Sequence, residues 1–166
     1  MATEILEKMT TRALFLDFDG VLHPNSSTRF FHLQLPVAQC IAQGRMFRYL
    51  PILHDILREH RDVRIFVHST WRKHTGDAKL RALLGPFVSD WFAGSTPRDL
   101  SRYESIQFVI DYHKLTDYRI LDDWSSEFPA GLPELVLCDS ESGLYDEPVR
   151  EQLRLWLEGG GRFDVV

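Results

Sequence analysis

The sequence predicts an α/β protein of three layers, a parallel sheet with helices on both faces. Short apolar runs of strand length recur along the chain, and segments with helical spacing of their apolar residues stand between them. Several of the runs also end in carboxylates or hydroxyls. Alternation of strands and helices makes successive strands parallel, and runs that are apolar throughout suit strands covered on both sides.

The first run, Ala13-Leu14-Phe15-Leu16, leads directly into Asp17-Phe18-Asp19-Gly20-Val21-Leu22. On an extended chain the period of two aims Asp17 and Asp19 the same way. Like charges that close repel unless a cation or a shared proton intervenes. Gly20 lets the backbone turn tightly and approach a ligand. A polar turn follows at His23-Pro24-Asn25-Ser26-Ser27, and Phe30 to Val37 reads as a flap or short hairpin over the strand end.

Arg45 to His60 carries Met46, Leu50, Leu53, Ile56 and Leu57 at helical spacing, with Pro51 marking a first turn or kink. Val63 to His68 is a second strand, ending at Ser69-Thr70-Trp71-Arg72. Ala78 to Leu84 predicts a short helix stopped by Gly85-Pro86, and Phe87 to Phe92 a minor strand or loop. Ser101-x-x-Glu104 has the capping-box pattern and opens a helix with Ile106, Val109, Ile110 and His113 on one side. Arg102 falls in its first turn, where the helix dipole disfavours a cation, so a bound anion is expected there. Tyr118 to Leu121 is a third strand, ending in Asp122-Asp123, and Leu135 to Cys138 a fourth, ending at Asp139-Ser140. The last helix starts near Asp146 with Pro148 in its first turn, buries Val149, Leu153, Trp156 and Leu157, and stops at Gly159-Gly160-Gly161.

At 166 residues the chain is read as one domain over residues 1–166, with residues 1–11 as an N-terminal extension. Hydrophobic residues at 44% and charged residues at 26% are ordinary soluble values. No apolar run approaches a membrane span, and no signal-peptide core precedes the first strand, so a cytoplasmic protein without a membrane is expected. Cys40 and Cys138 are too few for a disulfide scaffold. A net charge of -5 argues against a generic polyanion binder, and no stable protein partner is expected.

In a parallel sheet the carboxyl ends of the strands share one rim, so Asp17 with Asp19, Ser69 with Thr70, and Asp122 with Asp123 converge. Asp17, Asp122 and Asp123 offer hard oxygen ligands, which suit Mg²⁺ better than zinc. A carboxylate beside that metal can approach a phosphorus atom.

Leu16-Asp17-Phe18-Asp19-Gly20-Val21, Ser69 after its apolar strand, Arg102 at a helix start and Leu121-Asp122-Asp123 resemble, in order, the four motifs of haloacid dehalogenase-like (HAD) phosphohydrolases. The narrower patterns are Asp-Gly-Val-Leu-His, His-Ser-Thr-Trp-Arg-Lys-His, Thr96-Pro97, Arg102-x-Glu104-Ser-Ile and Ile-Leu-Asp-Asp. With Asp139-x-x-x-Gly143-Leu144 they are similar to the HAD domain of Swiss Army Knife RNA repair proteins. The likeness runs from about Arg12 to Leu157 and implies a Rossmann-like fold. The short segment between the first two motifs leaves no room for a large cap domain.

The resemblance further implies a Mg²⁺-dependent phosphohydrolase. Asp17 would be the nucleophile that forms an aspartyl-phosphate, and Asp19 the general acid and base. Ser69 or Thr70, Arg102 in place of the usual lysine, and Gly20 would bind phosphate. Asp17, Asp19 through its carbonyl, Asp122 and Asp123 would hold the metal. His23, Trp71, Arg72 and His74 flank the motifs as candidate substrate contacts, although Trp71 reads first as a packing residue. The expected substrate is phosphorylated, with a nucleotide or an RNA or DNA end as a candidate. A phospho-acceptor receiver domain and a catalytically silent binding module are the alternatives.

Overall fold

The computed structural model of the protein describes residues 11–159. The expected N-terminal extension, apart from Thr11, and the expected stop at Gly160-Gly161 lie outside the described residues. Five strands form one sheet: β1 (Arg12–Leu16), β2 (Val63–Val67), β3 (Phe92–Ser95), β4 (Tyr118–Asp122) and β5 (Leu135–Leu137). Their order is β3-β2-β1-β4-β5 and every pairing is parallel. The chain travels outward from β1 to β3 and then returns to the other side of β1, so the strand order reverses between β1 and β4. The crevice outside such a reversal is where open α/β sheets bind ligands.

Alternate residues of β1 feed the two faces of the sheet. Leu14 and Leu16 pack with Leu53, Ile56 and Leu57 of a helix at Leu50–Leu57 and with Val149, Leu153, Trp156 and Leu157 of a helix at Glu147–Leu157. Ala13 and Phe15 point the other way, onto Ile106 and Val109 of a helix at Arg102–His113. These helices are numbered α2, α6 and α5. The remaining helices are α1 (Val37–Gly44), α3 (Asp77–Leu83) and α4 (Gly85–Val88). Each fully buried Leu, Ile, Val or Phe contributes about 1.5–3 kcal/mol, so β1, with all four of Ala13 to Leu16 inaccessible to solvent, anchors both layers.

The observed elements depart from expectation in four places. Phe30 to Val37 forms no hairpin: a 3₁₀ helix at Asn25–Leu33 is followed by α1. The helix expected over Arg45 to His60 begins only at Leu50, with Pro51 in its first turn, because Arg45 and Phe47 hold positive φ angles of 49° and 64°. Phe87 belongs to α4, and β3 starts at Phe92. Ser101 precedes α5 without a side-chain cap; its carbonyl instead accepts the Ser105 N–H at 2.8 Å. Among the described residues, the stretch between β1 and β2 contains these helices and no separate cap domain. No described helix is long and apolar enough to cross a membrane.

Candidate active site

The ladder between β1 and β4 continues one step beyond β1, where Asp17 N–H donates to the Leu121 carbonyl at 3.1 Å. This sets Asp17 beside Asp122, the last residue of β4. Arg102 opens α5 directly across from them and is almost fully buried. Its Nη1 donates to Asp17 Oδ2 at 2.9 Å and to Asp122 Oδ2 at 2.7 Å. The anions expected near this helix start are therefore the protein's own carboxylates.

Asp122 is the most fully engaged of the acids. Its Oδ2 also meets His68 Nε2 at 2.7 Å, and its Oδ1 accepts the Trp124 N–H at 2.9 Å. Burial pushes its carboxyl up, but the His68 and Arg102 contacts outweigh this and hold it below the usual range. Asp17 has the opposite balance: burial and the neighbouring Asp122 raise it to about 7, despite Arg102 and His68. Asp123 is raised to about 6 by burial and Asp122. Ligand atoms of Asp17, Asp122 and Asp123 all lie within 4.8 Å of one another. The set fits a hard divalent cation: every donor is an oxygen, and burial, with Asp122 close by, raises the carboxyls of Asp17 and Asp123, a penalty that a cation would relieve.

Gly20, at φ +78°, makes this cluster sterically possible, since a Cβ there would overlap the Asp123 carboxylate. Its N–H already donates to the His23 carbonyl at 3.0 Å, so Gly20 supplies room where a phosphate donor was expected. Asp19 lines the same cleft. Both Trp71 Nε1 (3.0 Å) and His23 Nε2 (2.7 Å) reach its Oδ1. His23 is completely buried, and it and Trp71, expected to meet substrate, are engaged with Asp19.

The cleft has a volume of about 440 Å³ and is lined by Asp17, Asp19, Asn25, Thr70, Arg102, Asp123, Trp124 and Ser140. Thr70 is exposed there, whereas Ser69 is buried and its Oγ accepts the Trp71 N–H at 3.3 Å. Arg72 does not reach the cleft: it is 1% exposed, and its guanidinium donates to the carbonyls of His68, Ser69, Pro97 and Leu100. The contact expected between Arg72 and substrate is thus replaced by a structural one. His74 also lies outside the cleft lining.

Sequence reasoning missed His68, whose Nδ1 is buried without a partner, and Trp124, whose half-exposed indole carries the Arg102 guanidinium 5.7 Å from its ring centroid. Their positions directly before Ser69 and directly after Asp123 were the available signals. The loop after β5 closes the far side. Asp139 accepts the N–H groups of Glu141 and Ser142, each at 3.0 Å, and these bonds hold its carboxyl below the usual range. Gly143, at φ +48°, allows contact with the Val21 carbonyl, which accepts the Leu144 N–H at 3.0 Å. Asn25 N–H donates to Ser140 O at 2.8 Å, and Ser26 Oγ to Glu141 at 2.7 Å.

A Rossmann-like parallel sheet with acids gathered at the β1/β4 reversal and a cation at the start of the helix that leads into β4 defines the haloacid dehalogenase-like class, whose members are in general phosphohydrolases. Residues 13–149 match the family model described as the HAD domain in Swiss Army Knife RNA repair proteins. The chain belongs to that family. Comparison with curated proteins and with solved structures finds no match.

Proposed function

We propose that the protein hydrolyses phosphate monoesters, with Mg²⁺ among its acids and the phosphoryl group carried briefly on Asp17. The observation that supports this reading is the convergence of Asp17, Asp122 and Asp123 within 4.8 Å, next to Arg102 and Asp19 in one open cleft. Asp17, Asp122 and Asp123 would hold the ion, together with the Asp19 carbonyl. When bound, Mg²⁺ supplies the positive charge that lets an anionic nucleophile approach an anionic ester.

Asp17 attacks phosphorus: a carboxylate O–P bond forms and the bond to the ester oxygen breaks. Asp19 delivers a proton to that leaving oxygen, then takes one from the water that cleaves the aspartyl-phosphate. The Arg102 guanidinium, already beside Asp17, presents a fork suited to the equatorial phosphoryl oxygens. Thr70 is the hydroxyl whose exposure in the cleft supports a phosphate contact, with Ser69 holding the turn behind it.

The cleft volume and the exposed Trp124 indole support a substrate as large as a nucleotide, and the family's RNA-repair description supports a terminal nucleic-acid phosphate. A net charge of -5 disfavours extended contact with a phosphate backbone, so recognition centres on the end of the strand. The test is hydrolysis of an aryl phosphate with Mg²⁺ or with EDTA, by the parent and by Asp17→Asn, followed by nucleotides and 3′- or 5′-phosphorylated oligonucleotides. Turnover that needs Mg²⁺ and disappears in Asp17→Asn is expected. Metal-independent turnover, or a phospho-protein that persists for hours, overturns the reading, the latter in favour of a receiver.

A further inference from the structure

His23 and Trp71 occupy the positions where substrate contacts were expected, yet both direct N–H groups at one oxygen of Asp19. His23 is inaccessible to solvent, and its second ring nitrogen is also engaged: the Phe47 N–H reaches Nδ1 at 3.1 Å. A backbone N–H can only donate, so Nδ1 is the lone-pair nitrogen and Nε2 carries the hydrogen that meets Asp19 Oδ1 at 2.7 Å. The Trp71 indole, which has no other polar atom, adds its N–H to the same oxygen at 3.0 Å.

The residue that sets the tautomer is itself held in an unusual state. Phe47 has φ +64°, a conformation rare for a bulky L-residue. Its ring packs edge-on against His23, Phe18 and Trp71 at centroid distances of 5.1, 5.2 and 5.4 Å. Helix α2 begins only after this residue, so the interruption of the expected helix is what turns the Phe47 N–H toward His23. Strain of this sort persists where its surroundings over-determine it, and such places cluster at functional sites.

We propose that His23 and Trp71 are positioning residues that fix Asp19 by Oδ1, with Phe47 locking His23 in the Nε2–H tautomer, so that Oδ2 alone exchanges protons with the ester. A free aspartate turns its carboxylate and offers either oxygen. Here two donors on Oδ1 remove that equivalence, and among the described residues no donor contacts Oδ2. The role rests on the phosphohydrolase reading, because the proton leaving Asp19 Oδ2 goes to the ester oxygen as its bond to phosphorus breaks. Misplacement of a reacting group by about 1 Å can cost on the order of 100-fold in rate, which sets the scale for losing either donor.

The test has two arms. Long-range ¹H–¹⁵N correlation spectra of the metal-free protein should show His23 as the Nε2–H tautomer; an Nδ1–H tautomer overturns the proposal whatever the kinetics. In the second arm, His23→Leu and Trp71→Phe are compared with the parent on monoesters of graded leaving group. About 10–100-fold loss of kcat is expected for an alkyl or nucleoside ester and under about 3-fold for dinitrophenyl phosphate, whose phenolate departs unprotonated, with KM little changed. His23→Gln, which retains an N–H donor, should recover part of the loss on the alkyl ester. Equal losses across the series would reduce both residues to structural ones and overturn the proposal. Absence of hydrolysis of every ester by the parent would instead overturn the phosphohydrolase reading, and the proposal with it.

Discussion

Raising the pH of the metal-free protein should weaken the fold through Asp17. The folded state holds this carboxyl at about 7, against 3.8 in an unfolded chain. Between those values the native protein keeps a proton that the unfolded chain has released, so stability falls as pH rises through the interval and levels off above about 7. At 1.36 kcal/mol for each tenfold change in proton affinity, the full penalty is about 4 kcal/mol at pH 8. About 2–3 kcal/mol of it develops between pH 5 and pH 8, a fall of roughly 5–10 °C in Tm for a chain of this size. Asp123 is likewise raised by burial and by Asp122, so its contribution is shared with that of Asp17 and not added to it. The low-lying carboxyl of Asp122 acts oppositely, losing its stabilising pairing only under more acidic conditions.

Mg²⁺ at 100 times its Kd returns about 2.7 kcal/mol, and more of that gain should appear at pH 8 than at pH 5, where protons compete for the same oxygens. Thermal or urea unfolding of the parent and of Asp17→Asn at the two pH values isolates the effect from the seven histidines. The variant lacks this proton linkage, so without metal it should gain on the parent as pH rises. A difference between parent and variant that stays constant from pH 5 to pH 8, or equal Mg²⁺ gains at both, would refute the reasoning.

Arg102→Ala leaves Asp17 and Asp122 buried without their shared cation and should cost about 3–5 kcal/mol in urea unfolding of the metal-free protein, with a smaller loss when Mg²⁺ is present. Gly20→Ala meets both the positive φ and the Asp123 carboxylate; a loss of at least about 1 kcal/mol in stability is expected, together with weaker Mg²⁺ binding by titration calorimetry. Trp124→Ala should raise KM for nucleotide esters by roughly 5–150-fold while changing that for a small alkyl phosphate little, in line with about 1–3 kcal/mol for stacking of one base. Equal KM changes for both substrates would remove Trp124 from substrate recognition.

The four strands bearing Leu14, Ile65, Ile120 and Val136 were legible because each is a short run dominated by apolar residues, although the edge strand β5 leaves Leu137 exposed. β3 was not: it contains Ala93 and Gly94, has little β propensity, and forms only because β2 offers it an edge. Nor could α1 be recognised, since it is short and most of its residues are exposed, leaving little periodic signal. In the candidate site, Asp17, Asp19, Asp122 and Asp123 were legible because strand ends in a parallel sheet meet by topology, and Arg102 because a cation in the first turn of a helix stands out. The engagement of His68 was hidden because its partner Asp122 is 54 residues away, and that of His23 because one of its contacts comes from a main-chain N–H of Phe47. Side-chain direction at Arg72 was equally invisible: a basic residue beside a motif looks available until the carbonyls that surround it are known.

The loop after β5 is fastened to the segment after β1 by Leu144 on Val21, Asn25 on Ser140 and Ser26 on Glu141. A growing polypeptide therefore presents Asp17 and Asp19 more than a hundred residues before the segment that braces their surroundings is synthesised. The acidic cleft should therefore be completed late and abruptly, only once the loop after β5 has left the ribosome.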